Sequence, residues 1–166
     1  MQIVQKFIIS KKECNEKISV VIAICWDGYF TAHGQRANSD QIETSEGMLT
    51  VQPIQHGTLV LSWNGQDVYI DPTGGAASFE GLAAPDMILI THAHGDHMDP
   101  ETLNVLDTEW VPVIVPKSVA DELPEMFNDQ VVILNNGDTA TESGVGIEAF
   151  PMYNLPPATK RWCLSS

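Results

Sequence analysis

The sequence predicts a mixed α/β (α+β) domain, built as one mixed β-sheet with helices on one face. Three observations predict it. Met48–Pro53 alternates apolar and polar side chains, and Asn64-Gly65 marks a hairpin farther along. Two later runs, Met87–Ile90 and Val111–Val115, are continuously apolar, as strands buried on both faces are. A helix start, Asp99-Pro100-Glu101, follows the first of these runs, and a short helical stretch follows the second. Strands that come first in hairpins and then alternate with helices build a mixed sheet with its helices on one side.

Met48–Pro53 alternates as a half-buried strand does, and Thr58–Trp63 is the next strand. Asn64-Gly65 is a strong hairpin signal, so Asp67–Ile70 returns as the partner strand and Asp71-Pro72 ends it. A loop rich in glycine and alanine, Thr73–Ala84, leads to the strand Met87–Ile90. Asp99 as N-cap and Pro100 at the first helical position start a helix expected to run to about Asp107. Val111–Val115 is a strand, Lys117–Met126 a short helix and Val131–Leu134 a strand. Asn136-Gly137-Asp138 turns into a last strand, Gly146–Phe150.

A chain of 166 residues is long enough for one domain with its own core. Hydrophobic content of 43% and charged content of 18% are those of a globular protein. The net charge of −14 is uneven. Residues 1–36 hold five basic and three acidic side chains, which leaves three basic against nineteen acidic, or −16, over the other 130. Such a surface repels polyanions, so nucleic acid is a poor candidate partner. Cys14, Cys25 and Cys163 form no CxxC pair, and their odd number argues against a disulfide framework. Gly74-Gly75 lacks the lysine and helix of a phosphate-binding loop.

The first 44 residues differ from the rest and are read as an atypical leader or mis-started segment. Lys11, Lys12 and Lys17 precede the apolar run Ile18–Trp26, which has the length of a signal-peptide core. It is too short for a membrane span, which needs about 20 residues. An ordinary strand with a loop is an equal alternative. The location follows the choice: periplasmic for a signal remnant, cytoplasmic otherwise.

The chemistry concentrates in Thr91-His92-Ala93-His94-Gly95-Asp96-His97, directly after the apolar run. His92 and His94 are two residues apart, so in extended backbone both imidazoles face the same way and can share one ion. Gly95 lets the chain turn and present Asp96 and His97 beside them. A bound metal brings the pKa of water to about 7 and makes hydroxide available at neutral pH. Asp96 is the candidate catalytic residue, orienting that nucleophile and passing a proton to the leaving group. A lone histidine or an HxH pair is weak evidence; four donors in six residues, with a capped helix behind them, are specific.

This motif resembles the HxHxDH signature of metallo-β-lactamase-fold hydrolases. The resemblance extends to Gln55–Leu61, Tyr69-Ile70-Asp71-Pro72, Pro85–Ile90 and Pro151-Met152-Tyr153-Asn154, and these stretches look like the bacterial branch related to ascorbate-6-phosphate lactonase. It covers about residues 45–156, which it implies are the N-terminal αβ half of an αββα sandwich; residues 157–166 read as a tail outside the family pattern. By position it implies that His92 and His94 bind a first metal and Asp96 and His97 a second. Asp71, at a strand end, would stand behind the metals, with an ordinary turn aspartate as an equal alternative. His56 would lie at the mouth of the site, where a plain hairpin residue is favoured. The implied cofactor is one or two Zn²⁺ ions, with Mn²⁺ or Fe²⁺ suited to the same donors.

The resemblance also implies two later histidines, yet the five histidines are His33, His56, His92, His94 and His97. A shortened chain is therefore expected, with one apolar sheet face and one strand edge exposed and a tendency to form a homo-oligomer. The leading function is a metal-dependent hydrolase of a small ester, lactone or phosphorylated molecule. The alternative is a metal-binding, catalytically inactive remnant, and a nuclease of the same fold is disfavoured by charge.

Overall fold

The backbone of the Asn64-Gly65 turn shows why its two flanking strands meet where they do. Both residues take positive φ, 54° and 78°, the pair of left-handed positions whose twist matches that of the strands they join. In the computed structural model, which describes residues 3–11, 36–106 and 108–153, fourteen short elements follow in order. The strands are β1 (Ile3–Lys11), β2 (Asp40–Thr44), β3 (Gly47–Gln55), β4 (Thr58–Trp63), β5 (Gln66–Ile70) and β6 (Met87–Leu89), then β7 (Val113–Val115), β8 (Val131–Ile133), β9 (Thr139–Glu142) and β10 (Val145–Tyr153). The helices are α1 (Pro100–Val105) and α2 (Lys117–Ala120), with 3₁₀ turns at Ala76–Phe79 and Glu125–Phe127.

A seven-stranded sheet runs β2-β3-β4-β5-β6-β7-β8, and a three-stranded sheet runs β1-β10-β9. Strands β2 to β5 pair antiparallel, and β5 to β8 pair parallel. The sheet is therefore mixed, as the hairpin-then-helix pattern predicts. Side chains on adjacent residues point to opposite faces, and the core divides accordingly. Val60, Tyr69, Ile88, Val113 and Val115 pack in one cluster with Leu103 of α1, Val119 of α2 and Phe127 of the second 3₁₀ turn. Leu61, Val68, Ile70, Met87, Leu89 and Ile114 face the other way, against Val145, Ile147 and Ala149 of β10. The apolar face expected to lie open is thus covered by the chain's own second sheet, with Leu89, Ile114 and Ala149 fully buried. That corrects the premise of the expected self-association, because the final strand pairs out of the large sheet and folds over it.

Other differences have local causes. The stretch 117–126 does not form one helix: α2 ends at Ala120, and Pro124 (φ −57°, ψ 143°) opens a separate 3₁₀ turn. A proline has no N–H for the helix ladder and pushes the preceding residue out of the α region. Strands β2 and β9 were not anticipated, because Asp40–Thr44 and Thr139–Glu142 are mostly polar and exposed and form their ladders from backbone groups alone. The run Ile18–Trp26, the three cysteines, His33 and the 157–166 tail lie outside the described residues. No helix among the described residues is long and apolar enough to cross a membrane.

Candidate metal centre

Parallel pairing of β5 with β6 places their carboxyl ends side by side, Ile70 opposite Leu89. Ligand sites in such sheets gather beyond those ends. Asp71 follows β5 directly, and its amide donates to the Leu89 carbonyl at 2.8 Å. Thr91 and His92 follow β6, so the two strand ends deliver an acid and the motif to the same place. The turn at Asp96-His97 closes because the amides of His97 and Met98 both donate to the His94 carbonyl, at 2.8 and 2.7 Å.

Asp71 is buried, 2% exposed, and it holds a left-handed φ of 46°. Non-glycine residues adopt that conformation at a cost, so the surroundings must over-determine it. They do. The Thr58 hydroxyl donates to the Asp71 carbonyl at 2.6 Å and lies 2.9 Å from the Thr73 hydroxyl, which accepts from Gln55 Nε2 at 3.2 Å. The carboxylate accepts three hydrogen bonds, each 2.7 Å: Oδ1 from the Thr91 amide, Oδ2 from the Thr91 hydroxyl and from His97 Nδ1. Asp71 thus hydrogen-bonds directly to His97 of the motif.

With its Nδ1 hydrogen given to Asp71, His97 presents Nε2, which lies 3.6 Å from Asp96 Oδ2. Burial works against a charge on His97, but the hydrogen bond to Asp71, the charge of Asp71 and that of Asp96 outweigh it, so its pKa stands above the ordinary value. His92 is pushed the other way, first by burial, then by His97 and His94. Its ring lies 3.9 Å from that of His97 and 4.7 Å from that of His94, centroid to centroid. Donor atoms of His92, Asp96 and His97 all lie within 4.8 Å of one another. That grouping cuts across the pairing implied by the family resemblance, which sets His92 with His94 and Asp96 with His97. His94 and Asp96 are exposed, whereas His92 and His97 are buried.

His56 is exposed at the β3–β4 turn with φ 47°. Its neighbour Gly57 makes the closer approach: a Cβ there would meet His97 Cε1 at 3.0 Å and Nδ1 at 3.3 Å. The hairpin closes over His97 because position 57 has no side chain. Sequence reasoning assigned no role to Gly57, inside Gln55–Leu61, or to Thr91, the first residue of the motif. The hydroxyl beside the histidine motif was a usable signal for Thr91, whereas nothing in the local pattern marks Gly57.

Asp99 caps α1 as expected, accepting from the amides of Glu101 and Thr102 at 3.1 and 3.3 Å. Its other oxygen accepts from the Thr102 hydroxyl at 2.6 Å, and that hydroxyl accepts from the Gly75 amide at 2.7 Å. The glycine-rich loop is thereby tied to the helix that follows the motif. These hydrogen bonds, that of the Thr102 hydroxyl foremost, hold the Asp99 carboxyl below its ordinary pKa.

A family model described as a β-lactamase superfamily domain matches residues 50–162, more than half of the chain. The chain belongs to the β-lactamase superfamily. Its metallo-β-lactamase-like fold is shared with a solved structure from Parabacteroides distasonis ATCC 8503, classed as a metal-dependent hydrolase. That likeness covers 73% of this chain and 54% of the other, at 32% identity and a TM-score of 0.63. This chain thus spans about half the length of that protein. A metallo hydrolase from the hyperthermophilic archaeon Ignicoccus hospitalis KIN4/I is similar over 56% of this chain and 42% of its own, at 18% identity and a TM-score of 0.45. No curated protein matches the sequence.

Proposed function

We propose that this β-lactamase superfamily chain holds one or two divalent ions, zinc first among them, at His92, His94, Asp96 and His97. There it acts as a hydrolase of a small ester, lactone or phosphorylated molecule, in the branch similar to ascorbate-6-phosphate lactonase. The observation that carries the reading is the buried Asp71–His97 pair at 2.7 Å, which fixes one ring nitrogen and leaves the other turned toward Asp96. A carboxylate behind an imidazole is the usual way of orienting a metal-binding histidine.

The residues fit such an ion. Burial holds His92 toward the neutral state that a ligand needs, and two imidazoles and a carboxylate converge within 4.8 Å. When bound, a divalent ion supplies Lewis acidity and lowers the pKa of coordinated water to about 7. The chain's own residues supply the rest. Asp71 and Thr91 keep the rings from turning, and Gly57 closes the hairpin over His97 and shields it from water. Asp96, whose side chain is 61% exposed, is the carboxylate placed to take a proton from the attacking water and return it to the leaving group. Hydrolysis of β-lactams does not follow from the superfamily's name, because fold does not carry substrate.

A second reading, a chain that holds metal without turnover, is favoured by donor count. The converging cluster among the described residues has three members, His92, Asp96 and His97. Elemental analysis of purified protein, run beside a His92→Ala/His94→Ala control, tests the metal site that both readings share, and substrate turnover then separates them. Metal near one equivalent per chain, lost in the control, is expected and makes a screen of esters, lactones and phosphoesters worthwhile. Metal no higher than in the control sinks both.

A further inference from the structure

The Thr91 hydroxyl oxygen sits among three partners: Asp71 Oδ2 at 2.7 Å, His97 Nδ1 at 3.3 Å and His92 Nδ1 at 3.4 Å. A hydroxyl has one hydrogen to donate and two lone pairs with which to accept. The Asp71 carboxylate accepts from every neighbour it has here, so the short contact is attractive only if Thr91 donates to it. That commits the single hydrogen. Toward either imidazole Thr91 can then only accept. His97 already gives its Nδ1 hydrogen to Asp71 at 2.7 Å, closer than Thr91 stands. The accepting side of the hydroxyl is therefore available to His92. A bare Nδ1 on His92 would face an oxygen lone pair in a buried setting, an unsatisfied and repulsive contact; an Nδ1–H makes the same contact a hydrogen bond.

We propose that Thr91 is a positioning residue that keeps neutral His92 protonated on Nδ1 and so leaves the Nε2 lone pair free for a ligand. One buried carboxylate then governs both rings, His97 directly and His92 through the hydroxyl. The consequence for an ion rests on the metal-centre reading above, whereas the proton placement rests on the hydrogen-bond geometry alone. The arrangement explains why a hydroxyl residue stands at position 91: a methyl in place of the hydroxyl would cut the link from Asp71 to His92 while leaving Asp71 on His97.

The test is long-range ¹H–¹⁵N correlation of the imidazoles in metal-free protein at about pH 9, well above the ordinary histidine value of about 6.5. The unsubstituted chain is expected to show the Nδ1–H tautomer at both His92 and His97. Thr91→Val should shift His92 toward Nε2–H and leave His97 unchanged, and Thr91→Ser should restore the original pattern at His92. An Nε2–H tautomer at His92 in the unsubstituted chain overturns the proposal without any variant, so a folding failure of Thr91→Val cannot shelter it. An unchanged His92 in a folded Thr91→Val protein overturns it equally. Titration with Zn²⁺ alone adds a second readout, with Thr91→Val expected to bind about 10–100-fold more weakly. Should the unsubstituted chain bind no zinc, the metal reading fails while the tautomer result still decides the role of Thr91.

Discussion

Asp71 shows how much one side chain can organise. It is buried, holds a left-handed backbone and accepts three hydrogen bonds from two residues that its own strand does not contain. Replacing it with asparagine keeps the volume but removes the charge and puts an amide where one acceptor oxygen stands. Asp71→Asn is accordingly expected to lower the pKa of His97, since the hydrogen bond and charge that raise it are weakened while the burial that opposes it remains. An NMR titration of His97 in metal-free protein measures this directly, and an unchanged value would remove Asp71 from its assigned role. Zinc affinity of the same variant should fall about 10–100-fold. The proposed donors His92, His94, Asp96 and His97 could be singled out in the sequence, because four ligand-type side chains within six residues have few structural explanations. Gly57 was not legible, since its importance lies in a contact with a residue forty positions away.

At the scale of elements, α1 is held by its cap more than by its length. Six residues are too few for a helix to be stable alone. Asp99 satisfies two of its first amides, and through Thr102 it also anchors the loop at Gly75. Asp99→Ala should cost about 1 kcal/mol of unfolding free energy, the usual value of an N-cap, measured by denaturant titration. Asp99→Asn, which still caps, isolates the charge. A carboxyl whose pKa is depressed on folding adds stability above its unfolded value of 3.8, and that stability is lost as pH falls through the lower folded value. The gap between the unsubstituted chain and Asp99→Asn should therefore be present at neutral pH and close in acid; a gap that widens in acid would show the sign to be wrong. The cap and the Asn64-Gly65 turn were readable from residue type, because each depends on groups within four residues. The break in the 117–126 stretch was signalled by Pro124 and obscured by the apolar spacing around it.

For the whole molecule, the deciding feature is the second sheet. Ile147, 2% exposed, projects from β10 into the cluster that includes Leu61, Ile70, Met87 and Leu89. Ile147→Ala is expected to cost about 2–5 kcal/mol, as truncations at packed core positions do. If instead the cost is a few tenths, the small sheet does not cover the large one in solution, and the open face expected from sequence is the right description. The acidic balance acts at this scale too. It bears on partners and solubility rather than on the fold.

Local chemistry was readable from residue types alone: strands β3 to β8, the hairpin turn, the helix cap and the cluster of ligand-type side chains after β6. Each is written in residue types a few positions apart, where alternation, a left-handed turn or a capping carboxylate has one physical meaning. Tertiary structure alone decided that β10 leaves the large sheet and covers its second face, that Asp71 rather than a closer neighbour stands behind His97, and that Thr91 and Gly57 shape the site. Those outcomes depend on pairing and packing between residues distant in the chain, and no short-range pattern encodes which distant strand a given strand will meet.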